Sequence, residues 1–97
     1  MRRGTTPTHT FTLSIGSEII KKVRIIYEQS GFKLFKDDYT IEENTVSVTL
    51  TQNESLSFKD NIPARVQLKV LTTDDKVLVS DIMTFVVREC FDDEVIE

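Results

Sequence analysis

The chain has 97 residues and a formal net charge of −4, with 39% hydrophobic and 29% charged residues. This is one domain with room for a single core, in the composition range of ordinary globular proteins. The acidity, with no basic cluster beyond Lys21, Lys22 and Arg24, argues against nucleic-acid binding and against basic attachment to a membrane, and no apolar run approaches the roughly 20 residues that span a bilayer.

Residues 1–7, rich in Arg, Gly and Thr and ending in Pro7, read as an extended arm. Polar, Thr-rich sequence follows Met1-Arg2-Arg3 where a signal peptide would carry an apolar core. No signal peptide is expected, and synthesis in a cytoplasm is. Thr8 to Ile15 alternates apolar and polar residues and predicts a strand, followed by a turn at Gly16-Ser17. Glu18 to Gln29 fits a helical stripe (Ile19, Val23, Ile26) and an alternation (Val23, Ile25, Tyr27) equally well. Its many β-branched residues favour a strand, because they lose rotamer freedom in a helix.

Ser30-Gly31 turns the chain into a partner strand, Phe32 to Lys36. Asp37 to Asn44 is acidic, with a short strand at Tyr39 and Ile41. Thr45 to Thr51 is the clearest strand, with Val46, Val48 and Leu50 on one face. Thr51-Gln52-Asn53-Glu54 fits a helix-capping pattern and predicts one helical turn near residues 52–55, crossing from one sheet to the other. Leu56 and Phe58 are then placed to plug the core's end. Ala64 to Thr72 is another strong strand, Thr73 to Lys76 a turn, Val77 to Ser80 a strand and Ile82 to Arg88 the last long strand. An acidic tail, residues 92–97, follows a body of residues 8–91. Seven or eight short strands at this spacing describe an all-β fold, a two-sheet antiparallel sandwich.

The chain is poor in reactive chemistry. His9 is the only histidine and Cys90 the only cysteine, so neither a two-histidine metal site nor an internal disulfide can be built. His9 is expected on the wet face of its strand, and Cys90 as a small buried hydrophobe. The acidic pairs Asp37-Asp38, Glu42-Glu43, Asp74-Asp75 and Asp92-Asp93 lack the spacing of a calcium loop, and read as solvated turns. Gly4, Gly16 and Gly31 stand too far apart for a phosphate cradle. No catalytic, cofactor-binding or metal residue is assigned, and no enzyme activity is expected. What is left is contact with other proteins. The Thr-rich stretch Thr5, Thr6, Pro7, Thr8 and Thr10 is suited to strand addition on a neighbour, and equally to an edge strand of its own sheet.

The opening Met1 to Leu13, with its Gly4-Thr5-Thr6-Pro7-Thr8 block, resembles the start of a family of small uncharacterised proteins of Firmicutes phages and prophages. Val46-Ser47-Val48-Thr49-Leu50-Thr51-Gln52 before Glu54-Ser55, the strand Val66 to Val70, and Ser80-Asp81-Ile82 complete the resemblance. The strand layout is also similar to the immunoglobulin-like N-terminal domain of phage baseplate upper proteins. These resemblances imply an immunoglobulin-like sandwich and a virion- or tail-associated structural or adaptor module. Its partners would be other phage proteins, or a further copy through edge strands. The alternative is a phage-encoded effector that binds a host protein. The implied location is the host bacterial cytoplasm or the assembled virion.

Overall fold

Alternation along the strands decides which side chains meet between the sheets. The computed structural model describes residues 1–97. It holds β1 (Thr8–Thr12), β2 (Ile20–Gln29), β3 (Phe32–Lys36), β4 (Thr40–Glu42), β5 (Thr45–Thr49), α1 (Gln52–Leu56), β6 (Ala64–Thr72), β7 (Val77–Val79) and β8 (Met83–Phe85), with a 3-10 turn at Ser17–Ile19. One sheet has the order β1-β5-β4 and the other β3-β2-β6-β7, with β8 also paired to β6. Every strand pair is antiparallel. In immunoglobulin lettering β1, β5 and β4 take the places of B, E and D, and β3, β2, β6 and β7–β8 those of C′, C, F and G. The fold is therefore the expected two-sheet sandwich, with a helical crossover between β5 and β6.

The core follows the alternation. Val23, Ile25 and Tyr27 of β2 and Val66, Leu68 and Val70 of β6 are buried against Phe11, Val46, Val48 and Leu50 of the smaller sheet. Phe58 closes one end, with its ring edge-on to Tyr27 and Phe32, while Leu56 is only half-buried. The β2–β3 hairpin turns through Ser30 (φ 47°) and Gly31 (φ 89°) between paired Gln29 and Phe32. Both central residues have positive φ, as the right-handed twist of the strands demands of a two-residue turn.

Buried polar groups knit the crossover to the large sheet. Thr51 Oγ1 accepts from the Glu54 backbone N–H at 3.1 Å, and Glu54 Oε1 accepts from the Thr51 N–H at 2.8 Å. The same carboxylate takes two hydrogen bonds from Lys36 Nζ, at 2.7 and 2.9 Å. Lys36 sits on the inner face of β3 with its side chain 5% exposed. On β2, buried Gln29 donates to the carbonyls of Lys59 and Ile62 and accepts from the Lys59 N–H, so it holds the loop that leads from α1 into β6. No buried side-chain nitrogen or oxygen lacks a partner.

Several boundaries are shorter than the alternation suggested. β1 stops at Thr12 and not Ile15, because the chain must leave its sheet to reach β2; Leu13 makes the last bonds, to Asn44. β5 stops at Thr49, because Thr51 becomes the N-cap of α1. The last strand covers only Met83–Phe85. β7 occupies β6 at Lys69–Leu71 and leaves β8 only Ala64–Val66, with Ser80 bridging the break through bonds to Leu68 and Gln67.

Both ends are tied to the sandwich. Residues 1–7 lie along it. The Met1 ammonium donates to Val86 O at 2.7 Å, and Arg2 forms a parallel bridge with Arg88. Arg3 donates to the Phe58 and Leu56 carbonyls and pairs with Asp93 at 2.9 Å. The tail is tied as well, by Gln52 to Ile96 in both directions. Carbonyls left open at the C-terminal strand and at the end of α1 explain the first attachment, and the Gln52 side-chain amide at the start of α1 explains the second.

Burial pushes the Glu54 carboxyl up, but the Lys36 hydrogen bonds and the Thr51 N–H outweigh it and hold it below its ordinary value. A lowered carboxyl stabilises the fold above its unfolded pKa, and that stability is lost as pH falls through the folded value. Glu54→Gln leaves the buried Lys36 charge with only the exposed Asp38 carboxylate, 3.3 Å away, and is expected to lower the unfolding free energy by about 2 kcal/mol at neutral pH. In urea titrations across pH, the gap from the parent chain should close in acid. Ser30→Asn, which suits positive φ, should stabilise by about 0.5 kcal/mol in the same assay.

Candidate interaction surface

The Thr-rich stretch lies along the rim of the smaller sheet. Thr5 and Thr6 are exposed, and the Thr5 carbonyl accepts from buried Ser55 Oγ at 2.7 Å. The Pro7 carbonyl accepts from the Leu50 N–H, and Thr8 Oγ1 lies 2.8 Å from Thr49 Oγ1. Thr10 faces solvent opposite Ser47. Thr8 and Thr10 thus belong to an edge strand of this chain's own sheet, and Thr5, Thr6 and Pro7 lead into it.

His9 is not on the wet face. It is half-buried between the sheets, with Nδ1 2.6 Å from the Tyr27 hydroxyl and its ring against Tyr27 and Phe85. Burial, then the charge of nearby Glu54, raise the Tyr27 phenol far above its ordinary value. Tyr27 therefore stays protonated, and its hydroxyl shares one short hydrogen bond with the His9 ring. Burial, then the N-terminal ammonium, lower the His9 pKa. Cys90 is half-buried and not fully enclosed, because the segment after Arg88 lies outside the sandwich. No group of three His, Cys, Asp or Glu side chains is placed to hold a metal ion.

The sandwich has several open edges, and they differ in chemistry. β1 presents Thr8, Thr10 and Thr12, β4 presents Thr40 and Glu42, and β3 presents Lys33 between exposed Phe32 and Phe35. Polar residues and charge of this kind discourage pairing with another chain. The β7–β8 edge is far more apolar, with exposed Asp81 and Thr84 its only such interruptions between Val77 and Val86. Val77, Leu78 and Val79 are all exposed, and Ile82, Met83 and Val86 continue the apolar strip. By register Val77 and Val79 lie on the outer face and Leu78 on the inner one, beside Val70. Leu13 and Ile15 line a shallow groove with Leu78 and Val79. Met1 to Arg3 cover only the far end, at Val86 to Arg88. A contiguous apolar patch along a sheet edge is the kind of surface that binds protein.

The sequence reading passed over this edge, although a signal was there. Val77-Leu78-Val79 is apolar at every position, so it cannot have one dry and one wet face as its neighbours do. Compared with known proteins, the chain matches no family model, no curated protein and no solved structure.

A histidine held neutral by burial destabilises the fold as pH falls from its unfolded pKa, about 6.5, towards its lowered folded value, because the unfolded chain takes up the proton first. Thermal melts should show this loss in the parent chain. His9→Gln, which keeps an acceptor for Tyr27, should remove that step from the pH profile.

Proposed function

We propose that the chain is a non-enzymatic component of a phage or prophage particle, a small structural or adaptor module of the virion or its tail that acts by protein–protein contact. The observation that carries this reading is the uncovered β7–β8 edge, where Val77, Leu78, Val79 and Ile82 stand exposed along a strand with free backbone groups. A partner strand added there continues the five-stranded sheet, and covering each half-exposed valine contributes roughly 1 kcal/mol. The resemblance of the Met1 to Leu13 opening to Firmicutes phage proteins supports the setting. The partners are other particle proteins, reached in the host cytoplasm before assembly.

Mass spectrometry of purified particles from the encoding phage or induced prophage is the test. Recovery of the chain in stoichiometric amount is the expected result. Its absence from particles, with abundant protein in infected cells, would contradict the reading and favour an effector of a host protein. Val79→Lys should lower incorporation into particles several-fold while changing the isolated chain's unfolding free energy by less than about 0.5 kcal/mol.

A further inference from the structure

The outer face of the larger sheet carries charge opposite to that of the whole chain. Lys22 and Arg24 of β2, Lys69 of β6 and the aliphatic Leu71 and Val77 line one shallow groove of about 200 Å³. Arg24 stands directly across from Lys69, and Lys22 from Leu71. Like charges facing each other across a strand pair are unfavourable. Arg24 is partly neutralised by Asp37 at 3.2 Å, but Lys22 and Lys69 have no ion-pair partner in the fold. The groove therefore has an apolar floor and a cationic rim, and suits a segment that mixes acids with large apolar side chains.

Such a segment is present at the opposite end of the same chain. Residues 91–97 read Phe-Asp-Asp-Glu-Val-Ile-Glu, with Phe91 fully exposed and Ile96 77% exposed. Asp93 is taken by Arg3, whereas Asp92, Glu94 and Glu97 have no cationic partner. The segment is presented and not loose, since Arg3 holds Asp93 and Gln52 holds Ile96. Those anchors also keep it from its own groove. It sits by α1 and the N-terminus, whereas the groove lies at the far end of β6, roughly 23 Å along the strand from Ala64 to Leu71, in a molecule 46 Å long.

We propose that residues 91–97 of one copy dock in the Lys22, Arg24 and Lys69 groove of the next. The carboxylates of Asp92, Glu94 and Glu97 meet the cationic rim, and Phe91 or Ile96 covers Leu71 and Val77. The two halves of this interface are different surfaces, so the contact runs head to tail and propagates into a ring or an open chain of copies. It goes beyond the particle reading and does not depend on it.

The test is sedimentation of the full chain at low salt over a concentration series. The average mass should rise past that of a dimer, and added salt should reverse the rise. Lys69→Glu, which gives Arg24 an opposite charge to face, should weaken association at least tenfold without lowering the melting temperature. Phe91→Ser with Asp92→Lys should weaken it similarly from the other side. Each variant keeps one intact half, so an equimolar mixture should form a complex that stops at two chains. A parent chain that stays monomeric throughout overturns the proposal. So does association that both variants retain, or a mixture that fails to pair. None of these results bears on recovery from particles, which tests the other reading.

Discussion

The Lys36–Glu54 pair is the constraint on which the arrangement of the two sheets depends. A lysine ammonium on the inner face of a strand carries a large desolvation cost unless an anion meets it. The anion here is also the third residue of a capping box, so one carboxylate starts α1 and neutralises β3. α1 is the passage from β5 to β6, and so from one sheet to the other. Fixing Glu54 therefore fixes where β6 enters and how the faces of the sandwich are brought together. Lys36 is raised above its ordinary value by Glu54 and Asp38 despite the opposing effect of burial. Its contribution persists through neutral pH and is lost only as pH rises through that raised value, while Glu54 sets the limit on the acid side.

Other polar contacts complete the frame that this pair begins. Gln29 stands in for a strand partner to the loop at Lys59 and Ile62, and the His9–Tyr27 bond joins β1 of one sheet to β2 of the other. Directional bonds between layers select one register where apolar packing alone would tolerate several. Met1 to Arg3 then close the end near Arg88. With these parts satisfied, the β7–β8 edge is where apolar surface and an open strand edge coincide, and there the reading of the molecule as a contact module finds its support.

Much of this fold was legible because alternation is a local signal. Val46, Val48 and Leu50 declare a dry face wherever they end up, and Thr51 with Glu54 declares a helix start from four residues. The β-branched run decided correctly for a strand over a helix from Ile20 to Gln29, whereas Glu18 and Ile19 at its start belong to the 3-10 turn. What could not be read was long-range pairing. Nothing near His9 in sequence announces Tyr27, and nothing near Lys36 announces Glu54. The last strand looked long because Ile82 to Arg88 is apolar enough, but β6 has one free edge and β7 reaches part of it first. The Thr-rich opening was read as an arm because its composition is polar, whereas backbone groups left open by the last strand and α1 hold it down. For the contact surface the legible signal was three successive aliphatics at Val77 to Val79, whose meaning depends on their lying at an edge.

Amide hydrogen exchange, compared between the isolated chain and the chain within purified particles, tests most directly whether that edge is where the protein works. Protection gained across residues 77–86, with β1 unchanged, is the expected outcome of strand addition at β7–β8. Unchanged exchange there, or new protection confined to Thr8–Thr12, would place the contact elsewhere and contradict it.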